Sequence, residues 1–498
     1  MAVDPFALSL PAALPYMSTI QKWTLAVVCA ATAMLMLDIA VVNTALSRIA
    51  EDLDTGLSGL QWVVDAYTLA LASVVLTAGS LADRLGRRRL FTIGLSIFTL
   101  ASGACALATD IVFLNSARAV QGIGAAIMFA VSLALLAQAF PSPKERAGAL
   151  AAYGATIGAS FAVGPLVGGL LTSGLDWQWI FLINIPIGVA CIAITRLYVS
   201  ESRDPSAHGV DWPGQITLTA GLGLLVLALL RGNEDGWTST LILAELAGAA
   251  VALIAFVVAE LRVKQPMLPM RFFRDGSFTG AQIAAFAISS TFFAIFLYVT
   301  IYLQQVLGLS AIEAGLVYLP GTLIMLVVSG ATAQLGQKVP ARTMISVGLG
   351  LVAVGMGLFM LAGTESSWPV LMPGFIVASI GTGLFNPAIT NVALSSVPQE
   401  QSGVAAGVND TARQAGIAVG VAALGALIPA EHAFGGDPAA YVSGMHDALL
   451  VGGLVAAIGA LAGWFLISSK YGAAAEAPAE EEKQATPQAT IRPALDAA

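Results

Sequence analysis

Charge is scarce in this chain. Only 10% of its 498 residues are Asp, Glu, Lys or Arg, against about a quarter in an ordinary soluble protein. With 57% hydrophobic residues, this excludes a water-solvated globule: single cores stop growing at roughly 250 to 300 residues, and larger chains divide into domains with charged surfaces. Lipid has to cover the remainder. Cysteine and histidine are also rare. Cys29, Cys105 and Cys191 lie singly inside apolar stretches and read as inert packing residues. His208, His432 and His446 fall in loops with no Glu or Cys at ligand spacing, so no metal site is expected. The chain has no G-x-x-x-x-G-K-[ST] loop, which argues against ATP as the direct energy source. It also has no nucleophile, metal cluster or acid/base pair of the kind an enzyme needs, and neither an enzyme nor a nucleic-acid partner is expected. The first residues lack the charged start, short apolar core and cleavage site of a removable signal. Much of the net charge of −8 sits in EAPAEEEKQATPQAT, which reads as a solvated tail.

What is present is a series of apolar stretches of roughly 20 residues, each long enough at 1.5 Å per residue to cross about 30 Å of hydrocarbon. They fall near 23–46, 60–82, 89–108, 111–138, 147–172, 178–198, 213–230, 240–261, 278–304, 312–333, 342–362, 368–392, 406–428 and 448–468. Fourteen spans return the chain to its starting side. With the N-terminus inside, the basic loop residues collect there, among them Lys22, Arg84, Arg87, Arg88, Arg89, Lys144, Arg146, Arg262, Lys264, Arg342 and Lys470. Only Arg48 and Arg231 fall outside. This is the bias of a cytoplasmic face, and one missed span would invert every later loop.

Two echoes divide the spans. GSLADRLGRRR at 79–89 returns as GATAQLGQKVP at 330–340, and PSPKERAGALAAYG at 141–154 returns as SVPQEQSGVAAGVN at 396–409. The nearly common offset predicts an all-α membrane protein of two six-helix bundles, 23–200 and 278–469, around an inserted pair within 201–277. Tails at 1–22 and 470–498 complete it, both on the cytoplasmic side.

These motifs resemble the major facilitator superfamily and, within it, the fourteen-helix drug:proton antiporters. GSLADRLGRRR is similar to the signature between helices 2 and 3. The resemblance implies that Asp83 and the arginines latch the two halves on the inner side, with Gly79, Arg84, Gly86 and Arg87 as the rest of this inner-gate motif. GASFAVGPLVGGLL in helix 5 resembles the antiporter signature, carried by Gly158, Gly164, Pro165, Gly168 and Gly169. LDIAVVNTAL and WQWIFLINIPIG resemble the marks of the fourteen-helix group, with Ser47 where that group usually has proline. Physically, the helix 5 glycines let a neighbouring backbone approach closely, and Pro165 removes a backbone donor. Ordinary tight packing and a gated interface both fit these residues.

Burying an ion in hydrocarbon costs at least about 2.5 kcal/mol, so each charge within a span needs a reason. Asp38 lies about eight residues from the outer end of its span, Asp65 about five and Arg118 about seven. All three belong to one half and are expected to meet across a central cavity as a proton and substrate site. A cationic substrate that favours the ionised carboxylate expels its proton, which is antiport in its simplest form. The resemblance places the same three positions in coupling and cation recognition. A buried ion pair that only fixes helix register remains the other reading. In the second half, Glu313 and Asp410 are read as lying near helix ends, with Arg413 snorkelling to the inner face. The candidate cavity residues are Met34, Trp62, Tyr67, Phe292, Phe296, Asn386 and Asn391, because aromatic and Met surfaces adapt to bulky apolar or cationic ligands. The expectation is a monomeric, proton-driven exporter in a bacterial inner membrane that acts on small molecules without a cofactor. A dedicated exporter of one antibiotic, lipid or metabolite is the alternative.

Overall fold

The computed structural model describes residues 17–203, 209–336, 338–398 and 401–471; most of both predicted tails, His208 and Glu400 lie outside them. The described residues form fourteen long helices and no strand. They are α1 (Thr19–Asp52), α2 (Leu57–Leu85), α3 (Arg87–Ala106), α4 (Ile111–Ala139), α5 (Pro143–Gly174), α6 (Trp179–Tyr198), α7 (Trp212–Asp235), α8 (Thr240–Arg262), α9 (Gly276–Val306), α10 (Ala311–Leu335), α11 (Ala341–Phe359), α12 (Met372–Ser395), α13 (Ser402–Gly425) and α14 (Pro438–Leu466).

Several helices overrun the hydrophobic stretches that announced them, because polar caps prolong them beyond the hydrocarbon. Ser18 and Gln21 form a capping box that starts α1 at Thr19, and the helix ends only at Asp52. Asp38 therefore lies fourteen residues from that end, about 21 Å by helical rise, rather than eight. Asp65 lies eight residues into α2, rather than five. α6 has an irregular turn at Ile183, between Trp179–Leu182 and Asn184–Tyr198, although Ile183 keeps helical angles of φ −60° and ψ −27°. α9 contains two wide π turns, Ser289–Phe293 and Tyr302–Val306, a geometry that is rare and frequent at functional sites.

Thirteen helices are long and apolar enough to cross a membrane. The fourteenth, α13, has 24 residues, about 36 Å at helical rise. Asn409, Asp410, Arg413 and Gln414 keep it below the hydropathy of the rest. It is nevertheless enclosed, lying against α2, α7 and α9.

The halves meet along two seams, α2 against α13 and α5 against α10. The sequence echoes relate α2 to α10 and the start of α5 to that of α13, so each seam is the other with its partners exchanged. The first and last described residues lie on one face, termed the terminal face: Trp23 stacks on Tyr198 at 5.2 Å, and Ala341 N donates to Tyr471 O at 2.7 Å. α7 lies across the α2/α13 seam. Its Gln215 accepts from Thr77 of α2 near the terminal face, and its Asn233 donates to Ala426 O beyond α13 at 2.6 Å near the far face. α8 is peripheral and exposes Leu243, Val251, Ile254 and Leu261, as a lipid-facing helix should.

Candidate functional site

The charges of the first half are gathered into one network. Arg118 Nη1 donates to Asp38 Oδ2 at 2.5 Å, and neither side chain is more than 2% exposed. Gln121 Nε2 donates to Asp38 Oδ1 at 2.8 Å, and Asn184 Nδ2 to the same oxygen at 3.2 Å. Gln121 also donates to Ser102 Oγ at 2.9 Å and accepts from Arg118 at 2.6 Å. Arg118 Nε donates to Val63 O at 3.0 Å, and its guanidinium lies 4.3 Å from the Tyr67 ring centroid. A buried pair overcomes its desolvation only when its remaining donors and acceptors are satisfied, and Asp38 has three donors. The network ties α1, α2, α3, α4 and α6 together. Gln121 and Asn184 were not among the predicted site residues: Gln121 lies one turn after Arg118, and Asn184 lies within WQWIFLINIPIG, just after the irregular turn of α6.

Asp65 does not join this network. It is 0% exposed, and neither carboxylate oxygen has a hydrogen-bond partner. Its face of α2 looks instead toward the second half, where Gln61, one turn earlier, donates to the Tyr298 hydroxyl at 2.8 Å. Tyr298 in turn donates to Val421 O. Three other hydrogen bonds cross between halves: Gln304 to Thr44 O at 3.0 Å, Ile312 N to Ser173 Oγ at 3.2 Å, and Thr322 to Ala162 O at 2.8 Å. Among the described residues, these hydrogen bonds between halves lie near the far face or at mid-depth.

The motif predicted to latch the inner side is bonded within the first half. Asp83 Oδ1 accepts from Arg87 Nε and Nη2 at 2.9 and 2.8 Å. Glu201 accepts from the amides of Arg88 and Arg89 at 3.0 and 3.2 Å, placing a carboxylate at the N-terminus of α3. Gly86 has φ +106°, and a Cβ there would stand 2.8 Å from Glu201, so this turn requires glycine. Arg84 is exposed, and Gly79 touches nothing that a methyl group would meet. The helix 5 glycines are contact points. A Cβ at Gly164 would fall 2.3 Å from Ala40 Cβ, one at Gly168 would fall 2.7 Å from Val41 O, and one at Gly169 would fall 2.5 Å from Ala311 O. Across that seam, Gly315 approaches Pro165 O equally closely, while Gly158 faces Leu326. α5 is thus in backbone contact with both α1 and α10.

Phe292 and Phe296 belong to a ring cluster with Phe293, Tyr318 and Phe375. Phe161 of α5 enters it from the other half at 5.2 Å from Phe293 and 6.1 Å from Phe296. Met34 is buried in the first half and Trp62 half-buried beside the same core. Asn386 is half-buried with its Oδ1 unpartnered, whereas Asn391 is exposed and bonded to Ser395 at 3.3 Å near the end of α12.

The reading of Asp410 as a helix-end residue is corrected. It lies eight residues inside α13, is 8% exposed, and its Oδ2 has no partner. Arg413 forms no ion pair among the described residues; its guanidinium stands 5.7 Å from the Phe293 ring centroid. The drop in hydropathy along α13 was the signal for both, and it was obscured because the span was long enough to accept.

A model of the Major Facilitator Superfamily matches residues 28–421. The chain is 36% identical to a puromycin resistance protein of Streptomyces alboniger, over 91% of this chain and 93% of that one. It is 35% identical to a methylenomycin A resistance protein of Streptomyces coelicolor, over 87% and 90%, and 38% identical to the multidrug resistance protein Stp of Mycobacterium tuberculosis, over 80% and 74%. Among solved structures it is similar to a peptide transporter POT in complex with sulfate, with TM-score 0.64 and 16% identity over 89% of this chain and 96% of that one. That likeness is one of fold. With two seams between helical halves and a buried polar network in the first, the chain belongs to the major facilitator superfamily of membrane transporters.

Proposed function

We propose that this transporter exports bulky apolar or cationic compounds across a bacterial inner membrane in exchange for protons, with Asp65 as the proton carrier. The observation that carries the reading is the contrast between two buried acids. Asp38 is held by three donors, whereas Asp65 has none. An ionised carboxylate without a donor is costly in an apolar site, so the charge of Asp65 depends on what stands beside it, a proton or a cationic substrate. Asp38 and Arg118 then hold the first half rigid around that exchange.

The terminal face is the cytoplasmic one in this reading, because it gathers the basic loop residues. The hydrogen bonds between halves near the far face support reading the described state as the one that loads from the cytoplasm. Rocking along the α2/α13 and α5/α10 seams exchanges it for the outward state. A proton crossing 100 mV contributes about 2.3 kcal/mol, which drives export with no resident cofactor. One chain holds the whole site, so a monomer suffices. The relatives named for multidrug resistance support a broad substrate range. Those named for methylenomycin A or puromycin support the narrower alternative of a single antibiotic.

The test is transport by the purified protein in proteoliposomes with an imposed pH gradient and a panel of cationic dyes and neutral antibiotics. Uphill movement of several chemically distinct compounds is expected, and movement of one alone would select the dedicated exporter. Failure of every compound to move against its gradient overturns proton-coupled export.

A further inference from the structure

The two ends of the inserted pair meet at the terminal face through two acids. Asp211 caps the start of α7, and Glu260 stands just before α8 ends at Arg262; they are 4% and 3% exposed. Their side chains lie within hydrogen-bond reach of each other. Both lean over Gly214, where a Cβ would stand 2.5 Å from Glu260 Oε1 and 2.8 Å from Asp211 Oδ2. Backbone amides serve the other oxygens: Gly214 N donates to Asp211 Oδ1 at 2.9 Å, Met267 N to Asp211 Oδ2 at 3.4 Å, and Leu268 N to Glu260 Oε2 at 3.0 Å. Glu260 Oε1 has no donor.

Two ionised carboxylates in contact repel each other, and burial adds the cost of each charge. No cation offsets this. Arg262, Lys264, Arg271 and Arg274 are exposed, and among the described residues none of them pairs with either acid. α2 meets this end of α7 with the neutral Thr77, and its Asp83 is taken by Arg87. Asp275 is turned to the amides that start α9. A divalent cation needs several oxygens, and only one is left free. One proton on the pair removes a charge and supplies the missing hydrogen. We infer that Asp211 and Glu260 share a single proton and form a pH-sensitive clasp on the inserted helices, separate from the proton exchange of transport. The clasp has a grip on the first half, because Thr77 of α2 bonds Gln215 of α7 and approaches Met267 Sδ at 3.7 Å. It also holds Met267 and Leu268, in the linker that runs on to α9. Loss of the proton sets two like charges face to face, frees that linker and loosens the inserted pair from α2, one wall of the α2/α13 seam.

The experiment uses the full chain in nanodiscs at about pH 6 and about pH 9.5. Infrared spectroscopy reads the C=O stretch of protonated carboxyls, and hydrogen–deuterium exchange, corrected for its intrinsic pH dependence, reads the clasp. Between the two pH values wild type is expected to lose a protonated-carboxyl component, and the amides of 263–270 to lose protection by about tenfold, the scale of one charge-assisted hydrogen bond. Protection of α4 is unchanged. Glu260→Gln lacks the infrared component and, because its amide donates to Asp211 in place of the proton, keeps 263–270 protected at both pH values. Asp211→Asn does the same from the other side while still capping α7, and it decides the matter if Glu260→Gln misfolds, with thermal unfolding as the check. Equal protection of 263–270 in wild type at both pH values overturns the proposal. So does an infrared component or a pH-dependent loss of protection that both variants retain, or a loss that spreads evenly over the chain.

Discussion

Asp38 and Asp65 are acids of one half, on neighbouring helices, and both are almost fully buried. Their surroundings differ in one respect: Asp38 lies where α1, α4 and α6 converge and collects a guanidinium and two amides, while Asp65 meets no donor. The first arrangement is fixed because every group in it has a partner. The second is incomplete as it stands and becomes complete only with a proton or a ligand. Two acids of equal burial are therefore told apart by their partners.

The largest expected effect breaks the comparison from the Asp65 side. Asp65→Asn keeps the shape of the side chain and removes the titrating group, so gradient-driven transport in proteoliposomes should fall to the passive leak while thermal unfolding in detergent is unchanged. Transport at wild-type rates would return Asp65 to a structural role.

The next effect comes from the other acid. Arg118→Gln leaves Asp38 as a buried carboxylate without its cation, and stability should fall by about 3 to 5 kcal/mol, measured by denaturant unfolding. Asp38→Asn with Arg118→Gln, which neutralises both members, should recover most of that loss. If the double variant is no more stable than the single one, the pair is not what holds α1 to α4.

The smallest effect concerns the seal near Asp65. Tyr298→Phe removes the acceptor of Gln61 and the donor to Val421, weakening the far-face closure by about 1 kcal/mol. Far-face opening, followed by the labelling rate of a cysteine introduced at Ser58, should rise about fivefold. An unchanged rate would show that the closure rests on the other links between halves, at Gln304 and along the α5/α10 seam.

Much of this was legible in sequence. Spans and charge bias follow from the price of polar groups in hydrocarbon, which acts on every residue alike and so leaves a linear trace. Close contacts between helices left one too, since Gly164 and Gly168 lie on the side of α5 that meets α1, and Gly169 on the side that meets α10. Even Asn184 lay within a quoted motif. Its role did not show, because nothing in WQWIFLINIPIG says that this amide is aimed at Asp38.

By itself the sequence determined that this chain is a membrane protein of two related halves, with a few charges where hydrocarbon should be. Only the tertiary structure decided which of those charges have partners. It paired Asp38 with Arg118 across 80 residues, left Asp65 alone, moved Asp410 from a helix end into a seam, and placed the α7 helix across that seam. The reason is physical: the cost of burying an ion is a property of one residue and its depth, whereas its compensation depends on donors from other helices, whose positions are set only when the helices pack.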